Sequence, residues 1–367
     1  MDKREALLIL NLIPQIGPVR VRKLLERFGE PADILAANRK SLQEVNGIGA
    51  EIAQNIIDWE KHVDLEAELN AVEKAGARLL IEDDGEYPGN LREIYDPPLV
   101  LYVMGKLLPR DDKGIAVVGS RETSNYGMET AKKLSYQMAY SGVSVISGLA
   151  RGIDTAAHQG ALAAKGRTVA VIGAGLNQIY PPENQSLADK IIETGSAVIS
   201  EFPMNAKPTP QNFPMRNRIV SGMSMGTLVV EADLKSGALI TARMALDQGK
   251  LLFAVPGRID SLRSRGCHQL IKQGAKLVED VGDVLSEFEF LFPKEDNSAG
   301  EKPALARADL SDNEALIYKL IETDEVDIDT LIEKSNLPSP TVSATLLGLE
   351  LKRLVKQLPG KRFVRVG

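Results

Sequence analysis

IAVVG (residues 115–119), VSVIS (143–147) and TVAVIG (168–173) are three short apolar runs, each followed by a stretch of helical pattern, at 126–140, 153–164 and 183–193. A strand covered on both faces reads as a continuous apolar run, and a helix must carry the chain back before a parallel neighbour can start. AVIS (197–200), GTLVVE (226–231) and LLFAVP (251–256) continue the series, again with helical stretches between them. The spacing predicts a doubly wound α/β domain with a parallel sheet over about residues 110–290.

Residues 1–75 read as short helices with two similar turns, LIPQIGPVRVRKLLERFG (12–29) and VNGIGAEIAQNII (45–57). In the second, Gly47 and Gly49 let the backbone turn tightly and bring amide N–H groups forward, as a helix-hairpin-helix does when it holds DNA phosphates. The same glycines also suit a helical domain whose turns serve packing or protein contact. Residues 87–105 carry turn and strand signals, and Asp96-Pro97-Pro98 cannot continue a helix. Residues 293–308 (PKEDNSAGEKPALARA) have no periodicity and read as a linker. Beyond it, three helical stretches and a final alternating segment around Pro359-Gly360 predict a winged helix over residues 309–367, with residues 339–351 in the recognition position. That helix offers Ser, Thr, Ala and Leu where a base reader would offer Arg, Asn or Gln, so a protein-contact role is as well supported as duplex binding.

The chain has 367 residues, enough for two or three domains, and its 44% hydrophobic and 26% charged residues are those of a folded protein. Neither a membrane span nor a cleavable leader is expected, and the single Cys267 suits a reducing compartment such as the cytoplasm. One cysteine with only His62, His158 and His268 makes a zinc site improbable on composition, and no cofactor is expected. The net charge of -6 argues against a polyanion partner, but its distribution does not. Residues 207–218 hold no acid, and the stretch from Lys235 to Lys276 includes Arg243, Lys250, Arg258, Arg263, Arg265 and Lys272 against two aspartates.

In an open α/β sheet, ligands bind at the carboxyl ends of the strands. The first such end is Gly119-Ser120-Arg121, where glycine permits close backbone approach and the guanidinium can reach a phosphate. The second, residues 147–154, supplies Arg151 and Gly152, and the third is Gly173-Ala174-Gly175. A dinucleotide site is disfavoured, because GSRETSNYG is not GxGxxG and the second strand ends without a ribose-binding acid. Tight turns alone would account for the glycines but not for two arginines at adjacent strand ends. Residues 212–221 (NFPMRNRIVS) follow the Pro-rich loop that starts at Lys207, and place Asn212, Phe213, Arg216, Asn217 and Arg218 together. An aromatic face beside cations is what an unpaired strand requires. The other reading makes Phe213 core and pairs the arginines with Glu201 or Glu231.

VVGSR, SGLARGID, GAGL, YPPEN, SEFP, NFPMRNRIVSG, EA followed by SGALITA, and VPG stand in this order in the chain. In that order they resemble the DNA-processing protein A (DprA/Smf) family across the whole α/β domain. The resemblance implies an extended Rossmann-like domain over residues 76–292, flanked by an N-terminal helical domain (1–75, SAM or helix-hairpin-helix-like) and a C-terminal winged helix. It implies a non-catalytic homodimer that binds single-stranded DNA and loads a RecA-type recombinase during natural transformation. It places Gly119, Ser120 and Arg121 on phosphate and Phe213 under a base, with Arg216, Asn217 and Arg218 on neighbouring backbone or on the loop itself, and Lys207 upstream. Arg151, Gly152 and Asn212 complete the expected DNA-binding set, and His158 is read as structural. Gly226-Thr227 and Glu231 also resemble an element of the Lonely-Guy-like nucleotide hydrolases, but the PGG run expected before it is absent. A duplex-DNA regulator acting through the winged helix is the third reading.

Overall fold

The computed structural model describes residues 1–288, 311–321, 326–335, 337–351, 354–358 and 362–365. The expected linker at 293–308 and the turn at Pro359-Gly360 lie outside these residues. Two compact units divide the chain, Met1–Phe292 and Pro293–Gly367.

The first unit is built on nine strands: β1 Arg78–Leu80, β2 Leu101–Gly105, β3 Gly114–Val118, β4 Ser144–Ser147, β5 Thr168–Val171, β6 Ala197–Ser200, β7 Gly226–Val229, β8 Leu251–Ala254 and β9 Lys276–Leu277. Their order across the sheet is β1-β2-β6-β5-β4-β3-β7-β8-β9. From β6 to β9 all pairings are parallel, while β2 joins β6, and β1 joins β2, antiparallel. Of this antiparallel pair β2 falls in residues 87–105, where the sequence shows strand signals, whereas β1 lies before them, where no strand is expected.

Alternation along the central strand sorts the helices into two layers. Ile115 and Val117 pack with Ala131, Leu134 and Ala157, from helices Asn125–Tyr140 and Ile153–Ala163. Ala116 and Val118 pack with Ile219, Val220 and Ala242, from helices Asn212–Gly222 and Ala238–Asp247 on the opposite face. The chain changes face between β3 and β7, which are neighbours in the sheet. A crevice must open where their following segments diverge, at the strand carboxyl ends.

Residues 1–75 do not form a core of their own. Leu8, Leu24 and Ile56 belong to one apolar cluster with Tyr102, Ile172 and Val198 of the α/β part, so the two expected domains are continuous inside a single unit. Polar ties fix the same contact: Asn11 Nδ2 donates to the Glu201 carbonyl at 3.2 Å, and Glu68 accepts from the Met204 N–H at 2.8 Å. The two hairpin turns are bound to each other by Arg20, which donates to the carbonyls of Gln15 and Gly47.

The second unit holds helices Asp312–Leu320, Ile328–Ser335 and Ser339–Leu351 around Ile317, Leu331, Val342 and Leu346. Strands Val355–Leu358 and Arg362–Arg365 pair antiparallel as a wing. A short third strand, Val326–Asp327, joins its edge, where only two strands are expected from the sequence. Among the described residues no helix is long and apolar enough to cross a membrane.

Candidate nucleic-acid interface

A cleft of about 670 Å³ lies at the change of face. Its floor is the carboxyl end of β3 and the loop after β4, and its sides are the first turns of helices Asn212–Gly222 and Ala238–Asp247. Gly119, Ser120, Arg121, Phe213, Arg216 and Asn217 line it, so six of the expected residues meet in one place.

The floor loop is held rigidly. Buried Glu231, just past β7, accepts from the Thr123 hydroxyl at 2.7 Å, the Ser124 N–H at 2.7 Å and the Ser124 hydroxyl at 2.6 Å. Gly152 has φ +74°, and a Cβ there would stand 2.3 Å from the Ser120 carbonyl oxygen, so the loop after β4 can lie against Ser120 and Arg121 only with glycine. Arg121 is exposed, and its guanidinium carbon lies 4.9 Å from the centre of the Phe213 ring. Tyr180 flanks the same ring, with centroids 5.7 Å apart and planes inclined by 43°. Gly173 lies against it: a Cβ at that position would come within 2.9 Å of Phe213 Cδ1. The ring is half-buried, with a cation above it and a second aromatic beside it.

Arg216 is 4% exposed and donates to the carbonyls of Gly148 and Val171 at the ends of β4 and β5. Burial brings its pKa down to about 10, against the pull of Asp154. Asp154 accepts from the Gly148 and Ala150 N–H groups, and burial raises its pKa against the charge of Arg216. Arg216 therefore braces the floor and adds positive potential beneath the cleft, rather than reaching out to a ligand.

Five expected residues lie elsewhere. Arg218 is 7% exposed and faces away, paired with Glu201 at 2.5 Å and Asp96 at 3.0 Å, so its charge is spent in the interior. Arg151 is exposed and salt-bridged to Glu183 outside the cleft lining. Lys207 is exposed but does not line the cleft, and Asn212 at the helix start accepts from the Thr209 hydroxyl at 2.9 Å. Gly152 supports the loop without facing the cleft. Sequence reading assigned no site role to Tyr180, although the YPPEN motif contained it, nor to Lys235 and Arg263, which stood only in a basic stretch; all three line the cleft. Glu231 is not among the lining residues, and both its carboxylate oxygens are engaged by Thr123 and Ser124.

Fold and site together define a Rossmann-like protein whose switch-point cleft presents cations and aromatic faces, carried with a helix-hairpin-helix segment and a winged helix. A family model described as DNA recombination-mediator protein A matches residues 78–289, a DprA winged helix domain matches 301–361, and a SAM-like helix-hairpin-helix tandem matches 7–58. The chain belongs to the DNA recombination-mediator protein A (DprA/Smf) family. It is 33% identical to Protein Smf of Synechocystis sp. over 95% of this chain and 96% of that protein. With Protein Smf of Escherichia coli it shares 38% identity over 86% and 84% respectively. Among solved structures it resembles DNA processing protein A of Streptococcus pneumoniae, with a TM-score of 0.68 and 35% identity, covering 78% of this chain and 99% of that one. It also resembles DNA processing protein A of Helicobacter pylori, a structure described for its single-stranded-DNA binding mode, with a TM-score of 0.52 and 28% identity, covering 58% and 95%.

Proposed function

We propose that this chain binds single-stranded DNA in the cleft with little preference for sequence, protects incoming strands and loads a RecA-type recombinase onto them in natural transformation. It acts as a cytoplasmic homodimer and makes no covalent change. The observation that carries the reading is the stack of Arg121 on Phe213 beside Tyr180, inside a cleft with further cations. Every base has a π face and every nucleotide a phosphate, so such a site holds a strand without reading it. A duplex keeps its bases stacked and offers none to Phe213. The relative described for single-stranded-DNA binding and the family's description as a recombination mediator support the same reading.

Fluorescence anisotropy with oligo-dT and with a duplex, repeated at several salt concentrations, tests the binding. Preference for the single strand with a steep loss of affinity on adding salt is expected. Equal affinity for duplex would favour the regulator reading through the winged helix. The loading step is tested by following recombinase filament growth on strands already coated with a single-strand-binding protein; no acceleration by this chain would reject it.

A further inference from the structure

The cleft has a second wall that the Phe213 stack does not use. A space of about 670 Å³ is within the range that encloses one drug-sized ligand, so a polymer seated on Phe213 must continue past the site. The lining continues past the Arg121 loop with Lys235, Ser236 and Gly237, which lead into helix Ala238–Asp247, and with Arg263 from the segment after β8. Both cations are exposed, and neither enters an ion pair or a side-chain hydrogen bond among the described residues. Arg151, Arg218 and Arg258, by contrast, are held by carboxylates. The Gly237 N–H has no acceptor among the described residues, and Gly237 is exposed. Three carboxylates, Glu122, Asp154 and Asp233, also line the cleft; Asp154 is occupied by the Gly148 and Ala150 N–H groups, and Asp233 partly by the Lys235 N–H at 2.6 Å.

Resting on the single-strand reading above, we infer that Lys235 and Arg263 form a second phosphate subsite, which takes the backbone of the strand as it leaves the nucleotide stacked on Phe213. The bound strand then crosses the carboxyl edge of the sheet from β5 toward β8, following the strand order β5-β4-β3-β7-β8. Phe213, lying against Gly173 past β5, marks one end of the crossing with Arg121 above its ring, and the Lys235–Arg263 wall marks the other, so the site prefers a strand longer than the stacked unit.

The test uses the full chain carrying Lys235→Gln and Arg263→Gln together, with thermal unfolding to verify the fold. Each phosphate neutralised on a single strand contributes about 0.7 to the slope of log affinity against log salt. Removing two should lower the slope for long oligo-dT by about 1.4, so that the wild-type advantage shrinks about sevenfold between 50 and 200 mM salt. Binding of the dinucleotide pdTpdT, which reaches only the Phe213 side, should be unchanged. The charge-preserving pair Lys235→Arg and Arg263→Lys should restore the slope, and Lys132→Gln with Lys133→Gln, on the exposed side of helix Asn125–Tyr140, should not alter it. An unaltered slope in a folded double variant would overturn the subsite while leaving the Phe213 site standing, as would an equal loss for pdTpdT. No oligo-dT binding by the wild type would instead remove the single-strand reading, and this inference with it.

Discussion

The guanidinium of Arg121 covers the ring of Phe213 at 4.9 Å. A base cannot occupy that face until the guanidinium leaves it, so the two side chains exchange partners on binding: the ring takes the base and the arginine takes a phosphate. The contact surrendered is worth about 0.5–1 kcal/mol at an exposed site, less than the roughly 1–3 kcal/mol of a base stacked on an aromatic ring.

The exchange separates the two roles experimentally. Phe213→Ala should cost about 1–3 kcal/mol of single-strand affinity with no change in salt slope. Arg121→Ala should lower the slope by about 0.7 and weaken all sequences alike, because phosphate contacts position without specifying. Anisotropy titrations of both variants read both quantities. A sequence-selective loss in Arg121→Ala would mean that the arginine reads bases.

Gly173 gives a gentler probe of the same ring. A methyl group placed there meets Phe213 Cδ1 at 2.9 Å, closer than carbon atoms tolerate, and the half-buried ring is the part free to yield. Gly173→Ala should therefore displace the ring and lose part of the affinity lost in Phe213→Ala, while the urea midpoint changes little. Unchanged affinity would show that the ring position is not what binding requires.

The strands were legible because burial on both faces leaves no alternation, and NFPMRNRIVS was legible as the place where an aromatic and cations gather. The orientation of its two arginines was not. Arg216 and Arg218 are two residues apart on a helix and so point to different sides, and local pattern does not say which side holds the cleft. Their partners come from distant segments, Gly148 and Val171 for one and Asp96 and Glu201 for the other. Lys235 and Arg263 join the site because β7 and β8 follow β3 across the sheet, a long-range order that no local stretch contains. The same holds for residues 1–75, whose helical character was plain but whose core is shared with β2 and β6.

The interior placement of Arg218 predicts a stability phenotype. Arg218→Ala leaves Glu201 buried without its main partner, and breaking such a pair typically costs about 3–5 kcal/mol. Replacing both members, as Glu201→Gln with Arg218→Met, should recover much of that loss, measured by urea unfolding. The double variant should keep the wild-type salt slope for oligo-dT. A fall of about 0.7 would return Arg218 to the DNA-contacting set.

His158 sets the behaviour of the fold in acid. Its Nδ1 lies 2.6 Å from the Thr168 hydroxyl, whose own hydrogen goes to the Val145 carbonyl at 2.7 Å. The hydroxyl must then accept, so Nδ1 carries the proton and Nε2, buried and without a partner, is bare. Burial, with the charge of Arg216 added, lowers the folded pKa from 6.5 to about 3. Between these values the unfolded chain takes up a proton that the folded chain refuses. Stability is therefore lost as pH falls from 6.5 toward 3, at up to roughly 1.4 kcal/mol per pH unit, and His158 adds no slope well above 6.5. Asp154 and Glu201, whose pKa values burial raises, act in the opposite direction at acid pH, so the imidazole is isolated by difference. His158→Asn keeps a donor for Thr168 and does not titrate. Urea midpoints at pH 7 and pH 5 should fall markedly more for the wild type than for this variant; equal falls would mean that the imidazole is protonated inside the fold.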